Sequence, residues 1–301
     1  MKNAINKIGN IAAKLVANSR CRPAANKIFV STLFKSGTKL LEHLVEQLTG
    51  RKPYPLGMDV GNDYESATPI RFEKDSFFIW HNVPSRAVQD RIREEQATPV
   101  FLIRNIYDLL VSQYHHFAGD VDAAIGHSTR TLDYFSAMNR SEGISLVLCG
   151  ATSAQFHWTG FGYQLFHIQE ILAYAKVNPC HVIVYDRLVN QKRREIERLA
   201  TFLGVNPKRD TIEQLLDSSS LEDMRSARIT AVGSGKHFRK GKPGDHANVL
   251  SPHHYHMINH LILTHAPALP ALCAELGYAD VVDAGAAKDL ATGKSVSLQP
   301  G

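Results

Sequence analysis

Three features that would each identify a class of protein are missing from the chain. Its 301 residues include four cysteines, which lie far apart and form no CxxC pair, so we expect neither a disulfide framework nor a zinc site. No apolar run approaches the ~20 residues that a membrane-spanning helix needs, and the N-terminus has no compact apolar core of a secretory signal. These absences together favour a reducing, cytoplasmic compartment.

The Walker spacing, GxxxxGK followed by Ser or Thr, is also missing, although the order of elements that accompanies it is present. In "IFVSTLFKSGTKLL", residues 28 to 41, an apolar run of strand type passes through a glycine turn directly into a helical pattern. That order presents backbone N–H groups to a phosphate at the N-terminus of the helix. Because Lys35 stands two residues before Gly37 rather than after it, the sequence predicts a phosphate-binding loop but leaves its ligand open at this point.

Charge is unevenly distributed along the chain, although the net charge of +5 is modest. Only basic charges precede Glu42, and apolar residues recur among them at helical spacing. Residues 2 to 18 are therefore predicted to form a basic amphipathic helix, which either packs on its own domain or lies on an anionic membrane, at the inner membrane surface. A second basic cluster, "KHFRKGK" at 236 to 242, has no recognised nucleic-acid-binding motif, so we expect no nucleic-acid partner. The oligomeric state stays open.

Short apolar runs alternate with helical patterns, in a chain whose 44% hydrophobic and 21% charged residues are ordinary for a globular protein. Strands are predicted at 28 to 34, 77 to 80, 99 to 103 and 181 to 185, and helices at 37 to 49, 84 to 96, 105 to 117, 160 to 177 and 190 to 203, the last closing at Gly204. A later helix is predicted with Ser251 as N-cap and Pro252 at its first position. The alternation predicts a single α/β domain whose central parallel sheet, of four or five strands, is flanked by helices. We expect an N-terminal extension at 1 to 26, the domain at 27 to 278 and a loose C-terminal tail at 279 to 301.

Basic residues stand where two of the predicted strands end. Lys35 and Arg104 each follow a strand directly, and ligands of open α/β sheets bind beyond the carboxyl ends of the strands. Ser112 lies eight residues after Arg104, about two helical turns along the same face, so both side chains suit one phosphate. The alternative is that Arg104 pairs with a carboxylate and that Ser112 is a surface residue.

Five segments, taken together, resemble the cytosolic-type sulfotransferase family, in that family's order. "FKSGTKLL", "LIRNIYDLLVSQYHHF" and "HFRKGKPGDHANVLSP" are similar to its PKSGTTW, RNPxDxxVSxYxF and RKGxxGDWxxxFT segments. "FIWHNVP" resembles its KTHLP segment, and "VIVYDRLVNQKRREIERLATFLGV" resembles its YEDL segment with the helix that follows. The resemblance runs from about residue 27 to 260 and implies a P-loop-like nucleotide-binding fold.

The resemblance implies transfer of a sulfuryl group from 3′-phosphoadenosine 5′-phosphosulfate (PAPS) to a hydroxyl or amine of a small-molecule, sugar or lipid acceptor, with no metal required. It implies two catalytic residues, His81 as the general base on the acceptor and Lys35 beside the leaving phosphate. The implied 5′-phosphate site is the loop of Lys35, Ser36, Gly37, Thr38 and Lys39, with the amides of the last three residues as donors. The implied 3′-phosphate site is Arg104, Ser112, Arg239, Lys240 and Gly241, and adenosine is expected to lie by Tyr185 and Ser219.

Several positions depart from the family pattern. Ile79 replaces the lysine of the KTHLP segment, Leu40 replaces the tryptophan of the PKSGTTW segment, and His246 replaces the tryptophan of GDW. The remaining departures are Phe34, Lys39 and Asp186-Arg187. No implied catalytic residue is lost, and the departures suggest a divergent, bacterial branch. They leave open two alternatives, a P-loop nucleotide kinase that would need Mg²⁺ and ATP, and a nucleotide-binding scaffold without catalysis.

Two further clusters allow more than one interpretation. His256 and His260, with His253 and His254 nearby, have a spacing that could share a metal, but no third ligand is evident and we prefer a solvated helix face. The stretch 118 to 160 is expected to select the acceptor, because specificity resides in loops on a rigid scaffold. Phe156, Trp158 and Phe161 either form a wall of the acceptor pocket or belong to the core.

Overall fold

The computed structural model describes residues 26–55, 64–119, 135–152, 157–232 and 241–282. Its strands are β1 (Ile28–Thr32), β2 (Lys52–Pro53), β3 (Ser76–Trp80), β4 (Thr98–Ile103), β5 (Ala151–Thr152), β6 (His157–Trp158) and β7 (His181–Val184). Its helices are α1 (Thr38–Thr49), α2 (Arg86–Glu94), α3 (Ile106–Gly119), α4 (Arg140–Cys149), α5 (Phe161–Val177), α6 (Tyr185–Asn190), α7 (Lys192–Phe202), α8 (Arg209–Ser218), α9 (Leu221–Val232), α10 (Pro252–His265) and α11 (Leu269–Leu276). Two short 3-10 helices cover Asp245–Asn248 and Ala279–Val281.

A five-stranded sheet in the order β2-β3-β1-β4-β7 forms the centre of the fold, and all its pairings are parallel. The four predicted strands are β1, β3, β4 and β7, and the fifth is the two-residue strand β2. Because parallel neighbours need crossover connections, helices lie between them in the chain. The predicted α/β fold with a central parallel sheet is confirmed.

Side chains of the central strands alternate between two apolar layers, one on each face of the sheet. Phe29, Phe78 and Phe101 face the layer formed with α3, α4, α5, α10 and α11, and the rings of Phe29 and Phe78 stack 5.6 Å apart. Val30 and Leu102 face the other layer, which α1, α7 and α8 cover. Burial on both faces explains why each strand appears in the sequence as a continuous apolar run.

Helix ends agree with two local predictions. The Ser251 hydroxyl accepts the His254 N–H, and the His254 ring accepts the Ser251 N–H in return, so Ser251 caps α10 as predicted. Helix α7 ends at Phe202, and Gly204 follows with a left-handed φ of 70° and donates its N–H to Thr201 O. A glycine adopts this conformation at no steric cost, which is why it marks the end of the helix.

The predicted loose tail is wrong for its first four residues. Residues 279–281 form a 3-10 helix, and Val281 and Val282 are buried. The Asn105 side chain donates to Asp280 O over 2.9 Å, and Arg187 forms an ion pair with the Asp280 carboxylate. These apolar and polar contacts extend the folded part to residue 282, while residues 283 to 301 lie outside the described residues.

The predicted N-terminal extension at 1 to 26 also lies outside the described residues, apart from Asn26. Contact of residues 2 to 18 with a membrane therefore stays a prediction, as does the cytoplasmic location. Within the described ranges, no single helix is long and apolar enough to cross a membrane. Helices α10 and α11 reach that length and composition only as a pair, and they are bent by 90° where they meet.

Candidate active site

The predicted catalytic and donor-binding residues follow the carboxyl ends of four neighbouring strands. Lys35 comes after β1, His81 after β3, Arg104 after β4 and Tyr185 after β7. Parallel strands end at the same edge of a sheet, which is where ligands of α/β folds bind. The topology therefore brings together residues that are up to 150 positions apart in the chain.

The loop from Leu33 to Gly37 forms a tight turn at this edge. Ser36 closes it, because its N–H and its hydroxyl both donate to Leu33 O, over 3.1 and 2.8 Å. Lys35 has a φ of 70° and Gly37 a φ of 108°, both in the left-handed region. Gly37 O accepts the first hydrogen bonds of α1, from Leu40 and Leu41. The amides of residues 37 to 39 therefore lie at the N-terminus of α1, where backbone N–H groups and the helix dipole attract an anion.

Arg104 supports this loop from the neighbouring strand. Its guanidinium donates to Lys35 O over 3.1 Å and lies 4.6 Å from the centre of the Tyr185 ring. The same ring packs against Gly37 so closely that a Cβ there would come within 2.5 Å of it, which requires glycine at this position. Within the described ranges Arg104 forms no ion pair, and its Nε has no hydrogen-bond partner. The alternative, in which Arg104 pairs with a carboxylate, has no ion pair within 4.0 Å to support it among the described residues, although the charge of Arg104 lowers the pKa of the nearby Asp186 carboxyl against the effect of burial.

A second buried side chain holds the loop one residue earlier. Gln113, fully buried on α3, donates from Nε2 to Phe34 O over 3.1 Å. Successive carbonyls at 34 and 35 are thus fixed by Gln113 and Arg104, which explains how the left-handed Lys35 is maintained. Ser112, the residue before Gln113, is partly exposed, and no hydrogen bond from it to Arg104 occurs among the described residues.

His81 has a defined tautomer. Its Nδ1 lies 2.9 Å from Thr32 O, and a carbonyl only accepts, so Nδ1 carries the proton and Nε2 is left as an acceptor. Nε2 has no hydrogen-bond partner among the described residues. Burial of the ring lowers the pKa of His81 to about 4, against the raising effect of the Thr32 bond and with a further lowering by Lys39. His81 is therefore neutral near pH 7, the state that a general base requires.

Comparison with known proteins decides the family. A family model for the sulfotransferase domain matches residues 25–265. The chain belongs to the sulfotransferase family. It is 24% identical to cytosolic sulfotransferase 6 of Arabidopsis thaliana over 277 residues, which span 80% of this chain and 78% of that protein. It is 25% identical to cytosolic sulfotransferase 5 of the same plant over 275 residues, 80% of either chain.

Solved sulfotransferase-like structures share the fold. Mouse sulfotransferase SULT7A1 complexed with PAP has a TM-score of 0.64 at 17% identity, and the alignment covers 84% of this chain and 89% of the mouse chain. Retinol dehydratase in complex with androsterone and inactive cofactor PAP has a TM-score of 0.50 at 15% identity, with 83% and 84% covered. The predicted sulfotransferase class is confirmed, and the family does not support the nucleotide-kinase alternative.

The predicted 3′-phosphate side of this sulfotransferase is described only in part. Arg239 and Lys240 lie outside the described residues. Gly241, with a φ of 61°, packs against Leu221, so that a Cβ there would lie 3.0 Å from the leucine side chain. This contact places Gly241 beside the start of α9. Ser219 lies between α8 and α9 and is buried. Its hydroxyl donates to Leu215 O in the last turn of α8, so the side chain predicted to meet adenosine already has a hydrogen-bond partner.

Sequence reasoning missed three buried polar residues that organise the site. The Asp108 carboxylate accepts the N–H groups of Gly244 and His246, over 2.5 and 3.1 Å, and so ties the segment after Gly241 to the first turn of α3. Asp186 accepts the Asn105 N–H over 2.8 Å, although burial raises the pKa of this carboxyl. The third is Thr32, which bonds His81. Asp108 and Asp186 had a signal, since the family segments RNPxD and YEDL contain an acid at those positions.

The departures from the family pattern have structural explanations. Leu40, on α1, and Ile79, on β3, are 8% and 6% exposed. Both belong to the apolar layer between α1 and the sheet, so packing in the core accommodates both side chains. The His246 ring lies 5.5 Å from the Tyr107 ring, and its Nδ1 is 2.8 Å from the Tyr255 hydroxyl. His246 therefore occupies an aromatic and polar contact inside the domain, where the family has tryptophan.

Aromatic rings surround the Phe34 side chain next to His81. The Phe34 ring centre lies 6.1 Å from His81, 5.0 Å from His116, 5.9 Å from Phe117 and 6.1 Å from Trp158. We call Phe34, Phe117 and Trp158 the aromatic wall. Phe161, proposed as either wall or core, is fully buried in the core, and Phe156 lies outside the described residues.

The histidine-rich face of α10 has no geometry for a metal. His253, His256 and His260 are exposed, whereas His254 is buried and lies 3.2 Å from the Ser141 hydroxyl. Within the described ranges, no group of three or more His, Cys, Asp or Glu residues is close enough to share a metal ion.

Proposed function

We propose that this protein transfers a sulfuryl group from PAPS to a hydroxyl or amine of a small-molecule, sugar or lipid acceptor. His81 takes the proton of the acceptor at Nε2, and the Lys35 ammonium stabilises the charge that develops on the leaving phosphate. The observation that carries this proposal is the convergence of His81, Lys35 and Arg104 at the carboxyl ends of β3, β1 and β4. Two solved relatives by fold were determined with PAP, which supports the choice of donor.

The described residues suit an adenosine bisphosphate. Backbone amides of residues 37 to 39 at the N-terminus of α1 are donors for the 5′-phosphate. Arg104 is a buried cation whose Nε is without a partner among the described residues, and it is assigned to the 3′-phosphate with Ser112, Arg239, Lys240 and Gly241. Tyr185, which contacts both Gly37 and Arg104, is assigned to the adenosine side.

The aromatic wall supports an acceptor with an apolar or ring-shaped part next to its nucleophile. Phe34, whose ring contacts His81, and Trp158, whose ring contacts Phe34, are partly exposed and offer apolar surface, while the buried Phe117 ring packs against both. An aromatic wall of this kind binds an acceptor through buried apolar area and ring contacts. These contacts constrain the orientation of the acceptor more than its chemical identity. Phenols are therefore the first acceptors to test, followed by amines, sugars and lipids.

The donor assignment is tested by ligand-induced stabilisation of the purified protein. A ligand that binds only the native state raises the melting temperature. We expect 3′-phosphoadenosine 5′-phosphate (PAP) to raise it and AMP, which lacks the 3′-phosphate, to raise it far less. Equal stabilisation by AMP would contradict the assignment, and stabilisation by ATP that depends on Mg²⁺ would favour a nucleotide kinase.

Catalysis is tested separately, by transfer of labelled sulfate from PAPS to a panel of phenols, amines, sugars and lipids, and to a cell extract. We expect a labelled product whose formation requires His81. Absence of product across the whole extract, with PAP binding intact, would instead favour a nucleotide-binding scaffold without catalysis. The two experiments therefore distinguish a wrong donor from a missing reaction.

A further inference from the structure

A buried hydroxyl, that of Thr32, connects His81 to the N-terminus of α1. Thr32 is the last residue of β1 and has no exposed surface. Its Oγ1 lies 3.0 Å from His81 Nδ1 and 2.8 Å from Thr38 Oγ1. Thr38 is partly exposed and is the first residue of α1, beside the amides assigned to the 5′-phosphate. One side chain therefore contacts both the base and the donor loop.

The proton positions in this group follow from the acceptors. His81 Nδ1 carries its proton, because Thr32 O can only accept, and the same N–H also faces Thr32 Oγ1. Since Thr32 Oγ1 accepts from the imidazole, its own proton is free to reach Thr38 Oγ1. The Thr38 proton is then available to a phosphate oxygen. The hydrogen bonds run in one direction, from His81 through Thr32 and Thr38 towards the donor site.

We propose that the Thr32 hydroxyl couples the presence of donor at α1 to the strength of His81 as a base. The inference rests on the proposed function, in which His81 is the base and α1 holds the 5′-phosphate. A phosphate anion at the end of the chain polarises each hydrogen bond and stabilises the imidazolium. One proton passes from the acceptor to Nε2 while the acceptor–sulfur bond forms and the bond from sulfur to the phosphate oxygen breaks. The Nδ1 proton stays in place, so Thr32 is a positioning residue.

The surroundings of His81 explain why such coupling is useful. Burial lowers the pKa of His81, the Thr32 carbonyl bond raises it, and Lys39 lowers it further, to about 4 in total. Among the described residues, the other titratable neighbours of His81 are uncharged near pH 7: His167 is buried and neutral with Nε2 donating to Asn82 O, and Tyr64 faces the ring as a phenol. A base this weak gains from a bound anion, because general bases act best with a pKa near the working pH.

The test measures the ionisation of His81 directly, by NMR of protein with ¹⁵N-labelled histidine, with and without PAP. In the wild type we expect PAP to raise the pKa of His81 by about one unit or more. Thr32→Val keeps the shape of the side chain but removes the hydroxyl, so we expect at least half of that rise to be lost. Thr32→Ser restores the hydroxyl and should restore the rise. Turnover at saturating donor should fall ~10-fold in Thr32→Val and recover in Thr32→Ser.

Ser31→Ala is the matched control. Ser31 is the preceding buried residue of β1, and its hydroxyl donates to Asn82 O, outside the chain that joins His81 to Thr38. This variant removes a comparable buried hydrogen bond, so we expect a lower melting temperature but an unchanged PAP-induced shift at His81. Should Thr32→Val fail to fold, Thr38→Val interrupts the same chain at a partly exposed position and should lose the shift in the same way.

The outcomes separate the coupling from the proposed function. If PAP binds, His81→Ala is inactive and Thr32→Val still shows the wild-type shift, the coupling is wrong and the proposed function stands. If Ser31→Ala loses as much of the shift as Thr32→Val, the effect belongs to packing and the coupling is again wrong. If PAP fails to bind the wild type, or His81→Ala keeps its turnover, the proposed function and the coupling fall together.

Discussion

The donor side and the acceptor side of this site are held by different kinds of contact. On the donor side, the buried side chains of Arg104 and Gln113 donate to the carbonyls of residues 34 and 35, and Thr32 bonds Thr38. On the acceptor side, the aromatic wall meets His81 through ring contacts. Hydrogen bonds fix distance and direction, whereas apolar packing accepts exchanges of similar volume. We therefore expect the proposed donor site to be specified atom by atom, and the proposed acceptor wall to tolerate changes that have little effect on it.

Phe34 links the two sides. Its carbonyl is held by Gln113, and its ring stands in the aromatic wall 6.1 Å from His81. In the family pattern this position is a proline, so in this chain the loop proposed to bind the donor carries a ring that we propose to face the acceptor. Substitutions that affect one side only are therefore the sharpest test of whether the two sides are separate.

The largest expected effect is that of His81→Ala on turnover. Because the base acts on the acceptor and not on the nucleotide, we expect turnover to fall ~10²-fold or more while the dissociation constant for PAP changes only a few-fold. Turnover is measured at saturating donor, and PAP binding by calorimetry. A large loss of PAP affinity would instead show that the two sides are not separate.

A pH–rate profile completes this test. If His81→Ala keeps near-normal turnover, either the acceptor attacks already deprotonated or another histidine, His115 or His116, is the base. Of the two, His116 has a ring contact with Phe34, at 5.0 Å, and Phe34 in turn contacts His81. An unchanged profile together with an unchanged rate would remove His81 from the mechanism.

Arg104→Ala should have the next largest effect, and on the donor side alone. Loss of a charge-assisted phosphate contact is expected to weaken PAP binding ~10- to 100-fold. In this structure Arg104 also donates to Lys35 O, so it could act only by supporting the loop. AMP separates the two roles, because it retains the 5′-phosphate but lacks the 3′-phosphate. Equal losses of affinity for PAP and for AMP would show that Arg104 acts by supporting the loop. The KM for the acceptor should stay unchanged in either case.

Four residues of the candidate site show how much of it the sequence reveals. The positions of His81, Lys35, Arg104 and Tyr185 could be predicted because each follows a largely buried strand, whose apolar run is easy to detect, and because the segments resemble one family. The donor loop could also be predicted, because it is one short, continuous segment. The strand β2 was not, since two residues carry no periodicity.

The distant partners of these polar residues could not be predicted from the sequence. Asp108 bonds Gly244 across 136 positions of chain, and Thr32 bonds His81 across 49, distances at which no local pattern exists. Of the aromatic wall, only Trp158 was a candidate from the sequence, because its contacts with Phe34 and Phe117 join three separate segments of the chain. The buried segment at Val281 and Val282 was predicted as part of a loose tail because the residues that follow it in sequence are small and polar.

Trp158→Leu should act on the acceptor side alone. Its ring contacts Phe34 and Phe117, and its Nε1 donates to Val147 O over 2.8 Å. Loss of the ring contacts is worth ~1 kcal/mol or somewhat more, so we expect the acceptor KM to rise about 5- to 10-fold for a phenol found in the panel. Trp158→Phe retains a ring and should lie in between. A matching change in PAP affinity would mean that the wall also shapes the donor loop through Phe34.

Asp280→Asn should have the smallest effect, on stability rather than on either ligand. The Asp280 carboxylate pairs with Arg187, and its carbonyl accepts from Asn105, the neighbour of Arg104. The substitution removes the ion pair and keeps the carbonyl bond. Because the Asp280 side chain is 40% exposed, we expect the free energy of unfolding to fall by no more than ~1 kcal/mol, a shift of about 1 to 4 °C in melting temperature. Lys176→Ala, which breaks the exposed ion pair with Glu275, is the matched control and should lower the melting temperature less. PAP affinity should stay within about two-fold of the wild type, since the backbone bond that supports Asn105 is retained. A larger loss of PAP affinity in Asp280→Asn that is absent from Lys176→Ala would contradict this expectation. It would show that the contacts of Asp280 with Arg187 and Asn105 help to hold the donor site in place.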